Sequence, residues 1–130
     1  AMKEKCSHIR VLDNESDMYP LFSKVDLLIT DYSSIFFDFL LTDKPVLFYP
    51  YDIDDYLTKD RSMYDKYDNV TPGHKAYDFN GFYQKLVLFF KEPNVLKESV
   101  LDYNTIKKMY NKHNDSDASK RTYQFIASNL

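Results

Sequence analysis

Thr30, Asp31, Tyr32, Ser33 and Ser34 stand together after the apolar run LLI and just before the almost wholly apolar IFFDFLL. Five polar residues between a strand-like and a helix-like stretch can do one of two things. If Ser33 or Ser34 accepts a bond from the first helical amides, the block is an ordinary N-cap. If those amides stay open, up to four unpaired N–H groups and the positive end of the helix dipole attract an anion, helped by small hydroxyl side chains. The chemistry on offer is phosphate binding, and the sequence alone leaves both readings standing.

Other devices for the same chemistry are excluded. With only two glycines, Gly73 and Gly81, the chain has neither a Walker A loop nor a GxGxxG fingerprint. Its one cysteine, Cys6, cannot form an internal disulfide or a Cys-rich zinc site, which fits a reducing compartment. A formal net charge of -3 without a long basic run gives no electrostatic footprint for nucleic acid, which is not an expected partner. Ser34, Asp38 and Thr42 fall at i, i+4 and i+8, on one face of an otherwise apolar helix. A carboxylate among Phe36, Phe37 and Phe39 needs a partner or water, so Asp38 is either a ligand contact or a helix edge touching solvent.

The elements that must position these residues follow from patterning. At 130 residues, 44% hydrophobic and 17% aromatic, the chain is expected to be a single domain, 1–130, with an ample core. HIRVL at 8–12 reads as a short strand, and MYPLFSKV as one or two helical turns with Pro20 tolerated in the first. LLIT at 27–30 is a continuous apolar run of the kind a parallel sheet buries on both faces. The helix from about Ser33 to Leu41 follows, and then PVLFYP as another strand with Pro45 at its first position. Strand, helix, strand, helix, strand predicts an α/β fold with right-handed parallel crossovers. The turn at 30–34 then lies at the C-terminal end of a parallel strand, where ligands of open α/β sheets bind.

Residues 8–50 are thus the β/α core. Residues 51–77 read as an acidic, aromatic and irregular excursion, of a length often tied to function. Residues 78–130 read as C-terminal helices: GFYQKLVLFFK capped by Asn80, one long amphipathic helix through VLKESVLDYNTIKKMYNKH, and a last helix capped by Asp115 or Ser116. No apolar run approaches the ~18 residues of a membrane span, and AMKEKCSHIR has no signal-like stretch, so a soluble, cytoplasmic chain is expected. Met2, preceded by Ala1, reads either as a natural start or as the edge of a piece of something longer.

The stretch VDLLITDYSSIFFDFLLTDKPVLFYPYDIDDY resembles the signature of the CDP-glycerol glycerophosphotransferases, the polymerases and primases of teichoic-acid-like polymers in bacteria. The likeness continues through Arg61, the turn Thr71-Pro72-Gly73 and NKHNDSDASKRTYQFI, and so covers roughly residues 8 to 127. It implies a Rossmann-like three-layer parallel sheet, the later part of the C-terminal, donor-holding domain of a glycosyltransferase-B fold. It also implies that Thr30, Asp31, Tyr32, Ser33 and Ser34 contact the donor pyrophosphate, that Arg61 adds positive charge, and that Ser119 lies near the nucleotide. Asp38 and Asp52 are further candidates. The implied donor is CDP-glycerol or a related CDP-polyol, and the acceptor a polymer at the inner face of the plasma membrane. No cofactor comes with the resemblance, and the sequence is silent on a metal.

The family's catalytic histidines lie in a first domain and in a Lys-Pro-His-Pro type loop, and neither segment is matched in this chain. Its own His8, His74 and His113 do not replace them by motif; His74, beside the Pro-Gly turn, is the one weak catalytic candidate. The resemblance therefore implies a donor-binding portion, inactive alone, that needs the missing N-terminal domain. Where relatives often have Arg-Gly-Phe-Tyr this chain has Arg61-Ser62-Met63-Tyr64, so the family's conformation of that loop is not carried over.

Three alternatives remain. DLLITDY also fits a receiver strand ending in a phospho-accepting Asp31, but Lys44 follows after only 44 - 31 = 13 residues, too soon for the receiver lysine. A non-catalytic remnant or interaction module of the same fold would dimerise through an exposed sheet edge. A nucleotide-sugar glycosyltransferase fragment would hold pyrophosphate in much the same way.

Overall fold

A computed structural model describes residues 8–13, 16–59, 65–97 and 103–129. Among these residues three parallel strands form the sheet: β1 (Leu28–Thr30), β2 (Val46–Phe48) and β3 (His74–Lys75), in the order β1-β2-β3. Leu28 pairs with Val46, Thr30 with Phe48 and Phe48 with Lys75. Thr30, Phe48 and Lys75 therefore share one row at the C-terminal edge of the sheet.

The central strand organises the core because all three of its residues are buried. Side chains alternate across a strand. Val46 and Phe48 enter a cluster with Phe36, Phe39, Leu40, Tyr67 and Ile106, while Leu47 packs on the other face with Phe89 and Leu96. Helices α2 (Ile35–Phe39) and α6 (Tyr103–Tyr110) supply the first face, and α5 (Phe79–Lys91) with the 3₁₀ turn Pro93–Lys97 supplies the second. The result is the expected three-layer α/β arrangement.

Helix α1 (Tyr19–Phe22) carries Pro20 in its first turn, as the missing N–H of proline allows. Its C-terminal carbonyls are gathered by one cation: the Lys44 Nζ donates to Phe22 O at 3.1 Å, Ser23 O at 3.0 Å and Val25 O at 2.6 Å. Lys44 thereby anchors the approach to β1 onto the loop that enters β2. Helix α2 continues as a 3₁₀ turn, Leu40–Thr42, and ends on Asp43 in the left-handed region at φ 57°.

Several expectations are corrected. Residues 8–12 form no strand; Ile9 and Val11 are exposed. Apolar, β-branched residues make a strand only when a ladder receives them, and β1 is an edge of the described sheet. The excursion at 51–77 is not wholly irregular: it holds α3 (Ile53–Lys59), α4 (Tyr67–Val70) and β3. The cap of α5 is Asp78, which accepts from the Gly81 amide at 2.8 Å, rather than Asn80. Asp78 is extended while Phe79 and Asn80 are already helical.

Within 95–113 the described residues divide into the 3₁₀ turn and α6, with 98–102 outside the described residues. Asp117, not Asp115 or Ser116, is the N-cap position of α7 (Ala118–Ser128). Asp115 nonetheless anchors that start, accepting from the Asp117 amide at 2.8 Å and from Arg121 at 2.7 Å. The Arg121 bond, then the amide, holds the Asp115 carboxyl below its ordinary value.

Candidate functional site

Strand β1 ends where Thr30 O accepts from the Tyr49 amide at 2.7 Å, which ties the turn to the end of β2. Asp31 then closes an Asx turn: its Oδ1 accepts from the Ser33 amide at 2.8 Å. The Asp31 carbonyl accepts from the Tyr67 phenol at 3.1 Å. Asp31 thus spends carboxylate and carbonyl on shaping the turn, and the Ser33 amide is occupied by the protein itself.

Ser34 occupies the N-cap position of α2 with helical angles, φ -63° and ψ -10°, and its side chain makes no cap bond. Its carbonyl accepts from the Phe37 amide at 3.1 Å. Among the described residues the amides of Ser34, Ile35 and Phe36 have no acceptor, and both Ser33 and Ser34 are exposed. A serine at an N-cap ordinarily accepts from the second or third helical amide, so no serine closes this start, although Phe36 itself is only 1% exposed.

Tyr32 stacks on Tyr56 of α3, with ring centroids 3.7 Å apart and planes 18° from parallel. Burial pushes the Tyr32 phenol up, with Asp52 and then Asp31 adding to it by charge. Asp52 and Tyr51 therefore belong to the neighbourhood of the turn, and Tyr51 lies 5.5 Å from Tyr49 ring to ring.

Asp38 has its partner. The Tyr19 phenol donates to its Oδ2 at 3.0 Å, and that bond, more than any other influence, raises the tyrosine's pKa. Thr42, on the same face, donates to Phe39 O at 2.8 Å and ends the helix. On the shared face, Asp38 and Thr42 thus serve two separate local tasks, while the Ser34 side chain makes no cap bond.

His74 lies on β3 rather than in a loop, beside Leu47, and its Nε2 donates to Val95 O at 3.2 Å. That places its imidazole on the α5 side of the sheet, opposite α2. Ser119 is the second residue of α7 and exposed, and it makes no bond to the turn among the described residues. Arg61 lies outside the described residues, as do Ser62, Met63 and Tyr64. Of the residues singled out from sequence, the structure brings together Thr30, Asp31, Tyr32, Ser33, Ser34 and Asp52, with Asp38 one turn along α2.

Sequence reading passed over Tyr67, Tyr56 and Lys75. Tyr67 is buried on short α4, and its neighbourhood KYDNV has no period to mark it. Lys75 sits in the C-terminal row, donates to Thr71 O at 2.9 Å and lies 5.8 Å from the Tyr67 ring centre. Desolvation lowers its pKa, opposed by Asp68.

Among the described residues no group of three or more His, Cys, Asp or Glu side chains could hold a metal ion, and no helix is long and apolar enough to cross a membrane. A cavity of about 430 Å³ lined by Asp26, Lys44, Pro45, Phe89 and Asn94 opens at the opposite, N-terminal end of the strands.

Residues 1–128 match the family model described as CDP-Glycerol:Poly(glycerophosphate) glycerophosphotransferase. The chain belongs to this family. Among curated relatives, the teichoic acid glycerol-phosphate primase of Bacillus subtilis (strain 168) is 30% identical over 128 residues, which are 96% of this chain and 30% of the primase. The teichoic acid ribitol-phosphate polymerase TarL of Staphylococcus aureus (strain NCTC 8325 / PS 47) is 38% identical over 61 residues, 47% of this chain and 11% of that protein. A solved structure of a variant of the wall teichoic acid polymerase TagF superposes with a TM-score of 0.66 at 28% identity, covering 89% of this chain and 27% of that one. Another TagF variant, soaked with CDPG, superposes with a TM-score of 0.60. The α/β fold, as part of a glycosyltransferase-B architecture, is therefore the one this chain shares with TagF. The chain spans about three tenths of the length of the primase it matches.

Proposed function

We propose that this chain is the donor-binding portion of a transferase that moves glycerol phosphate, or a similar polyol phosphate, from a CDP carrier to a hydroxyl of a teichoic-acid-like polymer. One observation carries the reading: at the C-terminal edge of the sheet, in a glycerophosphotransferase chain, α2 opens with three amides that the described residues leave without an acceptor. The donor's diphosphate would lie against them, with the hydroxyls of Ser33, Ser34 and Thr30 alongside.

In the reaction an acceptor oxygen bonds to the phosphorus that carries the polyol, and the bond from that phosphorus to the oxygen bridging the diphosphate breaks. CMP departs with the electron pair of that bond. Charge therefore grows on the leaving phosphate, and fixed amides stabilise it without reorganising. Arg61 would add a charge-assisted contact. The base that takes the acceptor's proton is assigned to the family's histidine segments, so this chain binds donor without turning it over. The reading extends to cytoplasmic residence at the inner face of the plasma membrane, to the polymer acceptor there, and to a homodimer through the β1 edge.

Ser34→Ala separates ligand contact from cap. Because the Ser34 side chain caps nothing, the thermal midpoint should stay within the change produced by ~0.5 kcal/mol, the range of ordinary surface substitutions. CDP-glycerol affinity measured by calorimetry should fall by a factor of about 3 to 10, one lost hydrogen bond. A folded wild-type chain that binds no CDP-glycerol at millimolar concentration would remove the reading. A loss of stability near ~1 kcal/mol with unchanged affinity would return Ser34 to the role of a cap.

A further inference from the structure

We propose that Tyr67 is a positioning residue for the diphosphate site: by holding the Asp31 carbonyl it turns the Tyr32 amide toward the ligand. This rests on the donor-site reading above and deepens it. The Tyr67 side chain is only 6% exposed, and its phenol donates to Asp31 O at 3.1 Å across 36 residues of chain. The carbonyl of the 31–32 peptide is therefore held against a buried group. A trans peptide is planar and sets its C=O and the following N–H on opposite sides, and among the described residues none of the peptide bonds is cis. The Tyr32 amide consequently points away from Tyr67, and it has no acceptor among the described residues. It becomes a fourth donor beside those of Ser34, Ile35 and Phe36, in place of the Ser33 amide that Asp31 consumes.

The phenol is itself held firmly. Its ring meets Phe48 edge-on at 6.1 Å, and the Tyr67 carbonyl accepts from both the amide and the hydroxyl of Thr71, at 3.2 and 2.6 Å. Lys75 sits over the ring and donates back to Thr71 O. Burial pushes the phenol far above its ordinary value. The contact couples α4 and β3 to the turn, two elements with no sequence mark of a binding role.

Tyr67→Phe removes the phenolic hydroxyl and keeps the ring against Phe48. CDP affinity, measured by calorimetry on the chain, should fall about tenfold, the worth of one hydrogen bond lost from the set that orients the turn. Amide resonances followed during CDP titration give a reading that general destabilisation would not mimic. In wild type the Tyr32 and Ser34 amides should both shift; in Tyr67→Phe the Ser34 shift should persist and the Tyr32 shift be lost. Unchanged affinity, or a Tyr32 shift that survives the substitution, would overturn the inference while leaving the donor site intact. If the variant fails to fold, the wild-type titration decides: a Tyr32 amide that stays still while Ser34 moves would overturn it. A wild-type chain that binds no CDP defeats the donor-site reading itself.

Discussion

Gly73→Ala should destabilise the chain by about 3 kcal/mol, the upper range for forcing extra atoms into a filled site. A Cβ at this position would stand 2.5 Å from Val46 O and 2.8 and 2.9 Å from the Phe48 ring. The closest of these neighbours is backbone in the central strand and cannot yield without disturbing the pairing of β2 with its neighbours. The glycine is needed for space rather than for a left-handed backbone angle, since no glycine here has a positive φ. The expected loss corresponds to a thermal midpoint lowered by roughly 10 °C in a domain of this size. A midpoint within about 2 °C of wild type would show that β3 does not approach β2 as described.

Phe48→Ala should cost still more, about 3 to 5 kcal/mol, because a fully buried ring is removed and a cavity is left at the centre of the sheet. Phe48 meets Phe36 edge-on at 5.1 Å and Tyr67 at 6.1 Å, and it pairs with Thr30 on one side and Lys75 on the other. Whole domains are stable by only about 5 to 15 kcal/mol, so this single change should bring the chain close to unfolding at 37 °C. Urea unfolding followed by circular dichroism gives the measurement. Phe48→Leu should be milder, because it refills part of the space. The effect reaches the site as well: Tyr67 loses the ring it rests on, and with it the support of the Asp31 carbonyl. A Phe48→Ala chain with wild-type stability would contradict the placement of β2 at the core.

The strands that carry the site could be read from the sequence because both are continuous apolar runs, although only β2 is buried on both faces: β1 is an edge strand of the described sheet and its Ile29 is 45% exposed. LLIT and PVLFYP became β1 and the buried β2. HIRVL shares their β-branched residues, at Ile9 and Val11, and forms no strand, since nothing in its own residues states whether a neighbour will pair with it. β3 was invisible for the converse reason. It is two residues long, and both of them, His74 and Lys75, are polar. What makes it a strand is its pairing with β2 and the close approach at Gly73, neither of which is a local pattern.

The turn itself was legible as a place, and its details were not. That polar residues would lie at a strand end before a helix follows from composition. That Asp31 would take the Ser33 amide, and that Ser34 would leave its helix uncapped, depends on backbone angles set by distant partners. Asp38 shows the same limit: its isolation among phenylalanines demanded a partner, and Tyr19, 19 residues away, provides it. Tyr67 lies 36 residues from Asp31, and only the folded sheet brings the two together.

The most direct test is a crystal structure of the chain with CDP-glycerol bound. The account predicts diphosphate oxygens at about 2.7 to 3.2 Å, ordinary hydrogen-bond distance, from the amides of Ser34, Ile35 and Phe36. A diphosphate seated away from these amides, or a bound structure in which the Ser33 or Ser34 hydroxyl caps α2, would contradict it.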